Sequence, residues 1–194
     1  MALRSLLVAS AMVFSVAAEA GSTFTLGGYG GYGDASAEQN ALASRSMNIG
    51  AGFISAGWLW GGTLNTALYG EMRYVGQTTL PDSVSGTNLG GKGYAVGAEL
   101  TYLIRSFWLA GNYLFASEHN LNLNSTSDEE VKYFDGAGYS VKLGFRLLKN
   151  ISIFGFYNSL QYRTQKSGNT IIDITNNKLI VKSYGLGGQF DLFE

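Results

Sequence analysis

The segment T-L-N-T-A-L-Y-G-E-M-R-Y-V-G, residues 63–76, places Leu64, Leu68, Met72 and Tyr74 on one parity and Asn65, Tyr69, Glu71 and Arg73 on the other. That is the period of two expected of a β-strand with unlike faces. Glu71 and Arg73 are opposite charges inside an apolar segment, and they need a polar environment. The water-facing side of a soluble sandwich strand would supply one. The rest of the chain decides between that and other all-β arrangements.

Eight segments of this kind occur, near residues 22–33, 45–57, 62–75, 92–103, 107–116, 133–147, 151–164 and 178–193. No helical period of useful length and no domain linker separates them. Each is long enough for a tilted strand crossing a bilayer, which takes about 9–11 residues. Three links are very short, Trp58 to Gly61, Ile104 to Ser106 and Leu148 to Asn150, whereas residues 34–44, 76–91, 117–132 and 165–177 form long polar links. Short and long links alternate strictly, which a sandwich seldom shows. The pattern E-L-T-Y-L-I-R-S-F-W-L-A-G recurs in outline as K-L-G-F-R-L-L-K-N-I-S-I-F-G. Both read as strand, tight turn, strand.

The first twenty residues are read apart from the fold. A basic start at Met1 to Arg4, an apolar run from Leu6 to Ala18 and the small-x-small sequence Ala18-Glu19-Ala20 match a cleaved secretory signal peptide. The apolar run has thirteen residues, fewer than the ~20 that a membrane-spanning helix needs. Gly21 rather than Cys follows the expected cut, so a lipoprotein is not expected. The mature domain is residues 21–194. The chain has no cysteine, which excludes disulfides, thiol catalysis and cysteine-based metal sites. Its formal net charge of −1 gives no footprint for nucleic acid.

An exported, cysteine-free chain with eight amphipathic strands and alternating short and long links resembles the small eight-stranded outer-membrane barrels of the OmpA/OmpX type. The resemblance covers residues 21–194 and is architectural. It implies an all-β fold: an eight-stranded antiparallel transmembrane β-barrel with short periplasmic turns and long extracellular loops, in the outer membrane of a Gram-negative bacterium. The last strand, S-Y-G-L-G-G-Q-F-D-L-F-E, carries Tyr184, Leu186, Gly188, Phe190 and Leu192 on one parity. This is similar to the C-terminal signal read by the outer-membrane assembly machinery, although Glu194 follows the final aromatic residue. The implied partners are that machinery and outer-membrane lipid, and the implied state is a monomer.

Within a barrel, the apolar parity faces lipid and should carry aromatic residues at two depths. Tyr74, Tyr94, Phe115, Tyr139, Tyr162 and Tyr184 fall at the outer level, and Tyr102, Phe107, Phe145, Phe154 and Phe190 at the inner one. The polar parity then turns inward and gathers Glu71, Arg73, Glu99, Lys142, Arg146, Arg163 and Asp191. Eight strands leave an interior about wide enough for side chains to fill, so these charges are expected to pair as a lumen network. Gly50, Gly52, Gly97, Gly138, Gly144, Gly155 and Gly187 are placed on the same inward parity. They serve either as steric relief for large neighbours or as space for a narrow cavity.

Other motifs carry little chemistry. The run G-G-Y-G-G-Y-G at residues 27–33 precedes no helix and lacks the Lys-Ser/Thr partner of a phosphate loop. The only histidine, His119, follows Ser117 by two residues at the expected outer rim, with Asp128, Glu129 and Glu130 beyond. Small outer-membrane lipid A deacylases use a His-x-Ser order, whereas this chain has Ser-x-His. A solvated loop histidine is the plainer reading. No catalytic, cofactor or metal residue is expected. The expected role is structural, or recognition through the loops; the alternatives are a narrow channel for ions or small apolar solutes, OmpW-like, and a lipid-modifying enzyme using Ser117 and His119.

Overall fold

A computed structural model describes residues 21–37, 45–77, 89–123, 130–167 and 169–193. Residues 1–20, read from sequence as a signal peptide, lie outside the described residues. Ten strands follow in order: β1 Gly21–Ala37, β2 Arg45–Trp60, β3 Leu64–Gln77, β4 Leu89–Ile104, β5 Phe107–Leu123, β6 Glu130–Arg146, β7 Ile151–Tyr162, β8 Thr164–Ser167, β9 Thr170–Asp173 and β10 Leu179–Phe193. Eight of them, β1 to β7 and β10, close on themselves through antiparallel pairs, with β5–β6 joining the sheet and β1–β10 uniting the two ends of the chain. Closure leaves no barrel edge unpaired, so the backbone groups are satisfied without water.

The strands run past the expected ends on the side away from the tight turns. They consume much of the polar links, leaving residues 38–44, 78–88 and 124–129, which lie outside the described residues. The fourth expected link is not a plain loop. β8 continues β7 along β6, pairing Phe134 with Thr164, and then folds back as β9, followed by a short 3-10 turn at Thr175–Asn177. Asp173 accepts bonds from the Thr175 N–H at 2.8 Å and its hydroxyl at 2.5 Å, which hold this exposed carboxyl below the usual carboxylate range.

The tight turns have local causes. Gly61 and Gly62 both take positive φ, 54° and 70°, and the Thr63 N–H donates to the Trp60 carbonyl at 3.2 Å. A two-residue turn with both φ positive matches strand twist and favours glycine. Arg105 supplies a left-handed residue, φ 53°, at the β4–β5 turn.

Alternation sets the faces. On β3, Asn65, Ala67, Tyr69, Glu71, Arg73 and Val75 are buried while Leu68, Met72 and Tyr74 are exposed. Two strands depart from the expected parity. On β7, Phe154 and Tyr162 are buried and Arg163, just beyond the strand, is exposed. The segment I-S-I-F-G-F-Y has large apolar residues on both parities, so its pattern does not choose a face. Pairing does: Lys142 stands opposite Phe156, which puts Phe156 and the rest of its parity inside with Lys142. Phe154 and Tyr162 therefore leave the lipid-facing girdles, Gly155 turns outward, and Arg163 is not part of the interior. On β2, Met47, Ile49, Phe53 and Ser55 point inward, so Gly50 and Gly52 face out.

The remaining inward glycines have a steric role. A side chain at Gly144 would overlap the Trp108 indole, one at Gly187 the Phe154 ring, one at Gly136 the Tyr162 ring, and one at Gly27 the Phe53 ring. Each of these four inward rings lies across a bare position on the neighbouring strand, which lets large side chains fill a narrow barrel.

Candidate functional site: the polar interior

Three charge centres occupy the interior. The first joins β1, β3 and β7. Glu71 is ion-paired with Arg73, two residues away on the same face of β3. Its other oxygen accepts from the Tyr29 hydroxyl at 2.8 Å and the Tyr69 hydroxyl at 2.7 Å. Asn158 Nδ2 donates to the Tyr29 oxygen at 3.1 Å, which ties β7 into the group.

The second centre is Lys142, whose side chain is 1% exposed. Its Nζ lies 3.0 Å from Glu99 Oε2, and Ser55 donates to Glu99 Oε1 at 3.4 Å. The ammonium also faces the Phe53 ring at 4.0 Å, Tyr69 at 4.3 Å and Phe154 at 5.7 Å. A cation placed this way is held by the ring quadrupoles as well as by the carboxylate.

The third centre is Asp191, near the turn end. Thr25 Oγ1 donates to Oδ1 at 2.9 Å, Gln189 Nε2 to the same oxygen at 2.8 Å, and Ser152 to Oδ2 at 3.4 Å. Arg146, half-exposed at that end, faces Asp191 electrostatically. Of the seven residues read as a lumen group from sequence, the structure thus pairs Glu71 with Arg73 and Glu99 with Lys142, and sets Asp191 and Arg146 toward the same end of the barrel. It leaves Arg163 outside. The aromatic partners Tyr29, Phe53, Tyr69 and Phe154 were missed as site residues; the available signal was only that Tyr69 shares the parity of Glu71.

Ser117 and His119 are not at a solvated rim. At the β4–β5–β6 junction the register shifts between Leu114 and Ser117. Phe115 and Ala116 both face out, and this bulge swings Ser117 and His119 inward, where both are buried. The Ser117 hydroxyl shares a 2.9 Å hydrogen bond with the Tyr162 hydroxyl and donates to the Tyr94 carbonyl at 3.1 Å. His119 packs edge-on to Tyr162, centroids 6.4 Å apart. The serine is therefore oriented by a tyrosine, not by a histidine base. Asp128 and Glu129 and the side chain of Glu130 lie outside the described residues.

On the outer surface, Tyr74, Tyr94, Phe115, Tyr139 and Tyr184 are exposed toward one end, and Tyr102, Phe107, Phe145 and Phe190 toward the other. Tyr32 joins the first group, and Phe24 and Trp58 the second. Between them lies an apolar band with Leu26, Ile54, Leu68, Met72, Leu100, Leu143 and Leu186 exposed. A closed barrel that is apolar outside, polar inside and ringed twice by aromatic residues is built for a bilayer.

The fold is that of the small eight-stranded outer-membrane barrels. The chain is similar to Neisserial surface protein A (NspA), with a TM-score of 0.54 and 17% identity over 86% of this chain and 96% of that one. It is similar also to Ail, the attachment invasion locus protein of Yersinia pestis, in a complex with the heparin analogue sucrose octasulfate. There the TM-score is 0.56 and the identity 15%, over 89% of this chain and 99% of Ail. No family model and no curated protein sequence matches the chain. The likeness to these eight-stranded barrels is one of fold.

Proposed function

We propose that this chain is a monomeric, non-enzymatic protein of the Gram-negative outer membrane, whose barrel is a sealed scaffold and whose outer rim carries recognition. The observation that carries this reading is the filled interior. Tyr29, Phe53, Tyr69, Trp108, Phe154 and Lys142 are all buried across it, and Glu71–Arg73 and Glu99–Lys142 neutralise each other there. An ion would have to displace packed rings and separate paired charges to pass. The tight turns and both chain ends would face the periplasm, with β8 and β9 on the outer side. In this reading β10, with Tyr184, Leu186, Phe190 and Leu192 exposed on one parity, is also the strand recognised by the assembly machinery.

Planar-bilayer conductance combined with Glu71→Gln tests it. In a sealed barrel the substitution leaves Arg73 without its carboxylate, costs about 1–3 kcal/mol in unfolding, and leaves conductance at background. A hydrated pore would give the reverse, with little change in stability and a shift toward anion selectivity. That second pattern would replace the sealed scaffold by a channel.

A further inference from the structure

We propose that the turn end of the barrel holds one anionic phospholipid of the inner leaflet, its phosphate between Arg105 and Lys149 and one acyl chain in the groove floored by Gly155. The two turns that carry the cations are neighbours in space. The Arg146 N–H donates to the Ser106 carbonyl at 2.7 Å, and Phe107 and Phe145, which follow and precede the turns, meet edge-to-face with centroids 5.0 Å apart. Arg105 and Lys149 are both exposed at the tips, beside exposed Ile104, Leu147 and Leu148.

Among the described residues, the exposed charges at the tips of these two turns are cations. Among the described residues, no exposed carboxylate lies at the three tight turns; Asp191 and Glu99, the nearest acids, are buried in the interior and committed to the partners described above. Two exposed cations at headgroup depth attract an anionic headgroup.

Directly outward of the Phe107–Phe145 pair, an apolar groove of about 390 Å³ runs along the lipid face between Leu143, Ile153 and Leu186. Its floor is Gly155, which stands between Leu143 on β6 and Leu186 on β10 in the strand register. Lying within the band between the two aromatic girdles, the groove is reached from hydrocarbon and not from water. Its occupant is therefore an acyl chain, and the cations at its end select the headgroup. A second lipid-face groove, of about 430 Å³ near Leu26, Ile54, Gly70 and Met72, ends at Tyr94. The Tyr94 hydroxyl donates to Glu118 Oε2 at 2.6 Å and Lys132 Nζ lies 2.6 Å from Glu118 Oε1, so the cation at that end is already neutralised and the end lacks the same selectivity.

The inference rests on the membrane-embedded reading and on the turn end facing the inner leaflet. It is tested by native mass spectrometry of the barrel extracted from bilayers of equal phosphatidylglycerol and phosphatidylcholine. The expected result is one retained phosphatidylglycerol, favoured about thirtyfold, as two interfacial cations should give. Arg105→Asn with Lys149→Gln should erase the preference; asparagine tolerates the left-handed backbone at 105. Gly155→Leu should reduce retention of both lipids, and its new Cβ meets only the Gly185 carbonyl at an ordinary 3.8 Å. Equal retention of the two lipids by the unaltered protein, an undiminished preference in the double variant, or unchanged retention in Gly155→Leu would each overturn the site. Unboiled gel mobility of every variant is read alongside. A variant that keeps the barrel's mobility but loses the lipid supports the site, whereas loss of that mobility by the unaltered protein would overturn the membrane reading itself.

Discussion

Lys142 shows what the sequence pattern reveals about a residue and what it hides. Its parity placed it inside, because V-K-L-G-F-R alternates cleanly from Val141 to Arg146. Its partners were not legible, since Glu99 comes from two strands away and Phe53, Tyr69 and Phe154 from three others. Such contacts depend on register and on the tilt of a closed sheet, neither of which a single strand encodes. Lys142→Met should leave Glu99 buried without its cation and cost about 3–5 kcal/mol in unfolding from lipid vesicles. Adding Glu99→Gln should restore part of that loss, because the two effects share one pair. Strict additivity of the two single changes would show that the pair is not coupled.

Among the strands, legibility followed the contrast between faces. β3 could be read outright, with charges and apolar residues on opposite parities. β2 and β7 could not, since Ile49 and Ile54 on one, and Ile153 and Phe154 on the other, set apolar residues on both sides. β5 was misread beyond Phe115 because a bulge is silent in a pattern of alternation. The absence of native cysteine allows a direct test of the β7 assignment. In proteoliposomes, Arg163→Cys should react quickly with a membrane-impermeant maleimide, whereas Tyr162→Cys should be protected until the protein unfolds. The opposite order would restore the parity first read from sequence and return Arg163 to the interior.

For the molecule as a whole, the fold class was accessible because eight weak signals agreed in length, spacing and link alternation. The β8–β9 hairpin was not, because Thr170-Ile171-Ile172-Asp173 is a short strand in a polar link and its pairing depends on β6 overhanging the barrel. A closed sheet should resist detergent until heated, so unboiled protein is expected to migrate apart from boiled protein on gels. Identical mobility, with recovery in a soluble periplasmic fraction, would be incompatible with a transmembrane barrel.

The seam between β1 and β10 has a kinetic consequence. Thr23 pairs with Phe193 and Ala37 with Leu179, so this contact joins the two ends of the domain, while the other seams join strands close in sequence. Local hairpins close fast and distant pairings slowly. Until the seam forms, two full strands would present bare amide and carbonyl groups to hydrocarbon, each costing several kcal/mol. An open, partly inserted sheet is thus disfavoured as a resting intermediate. Entry into the bilayer and the pairing of β1 with β10 are therefore coupled steps.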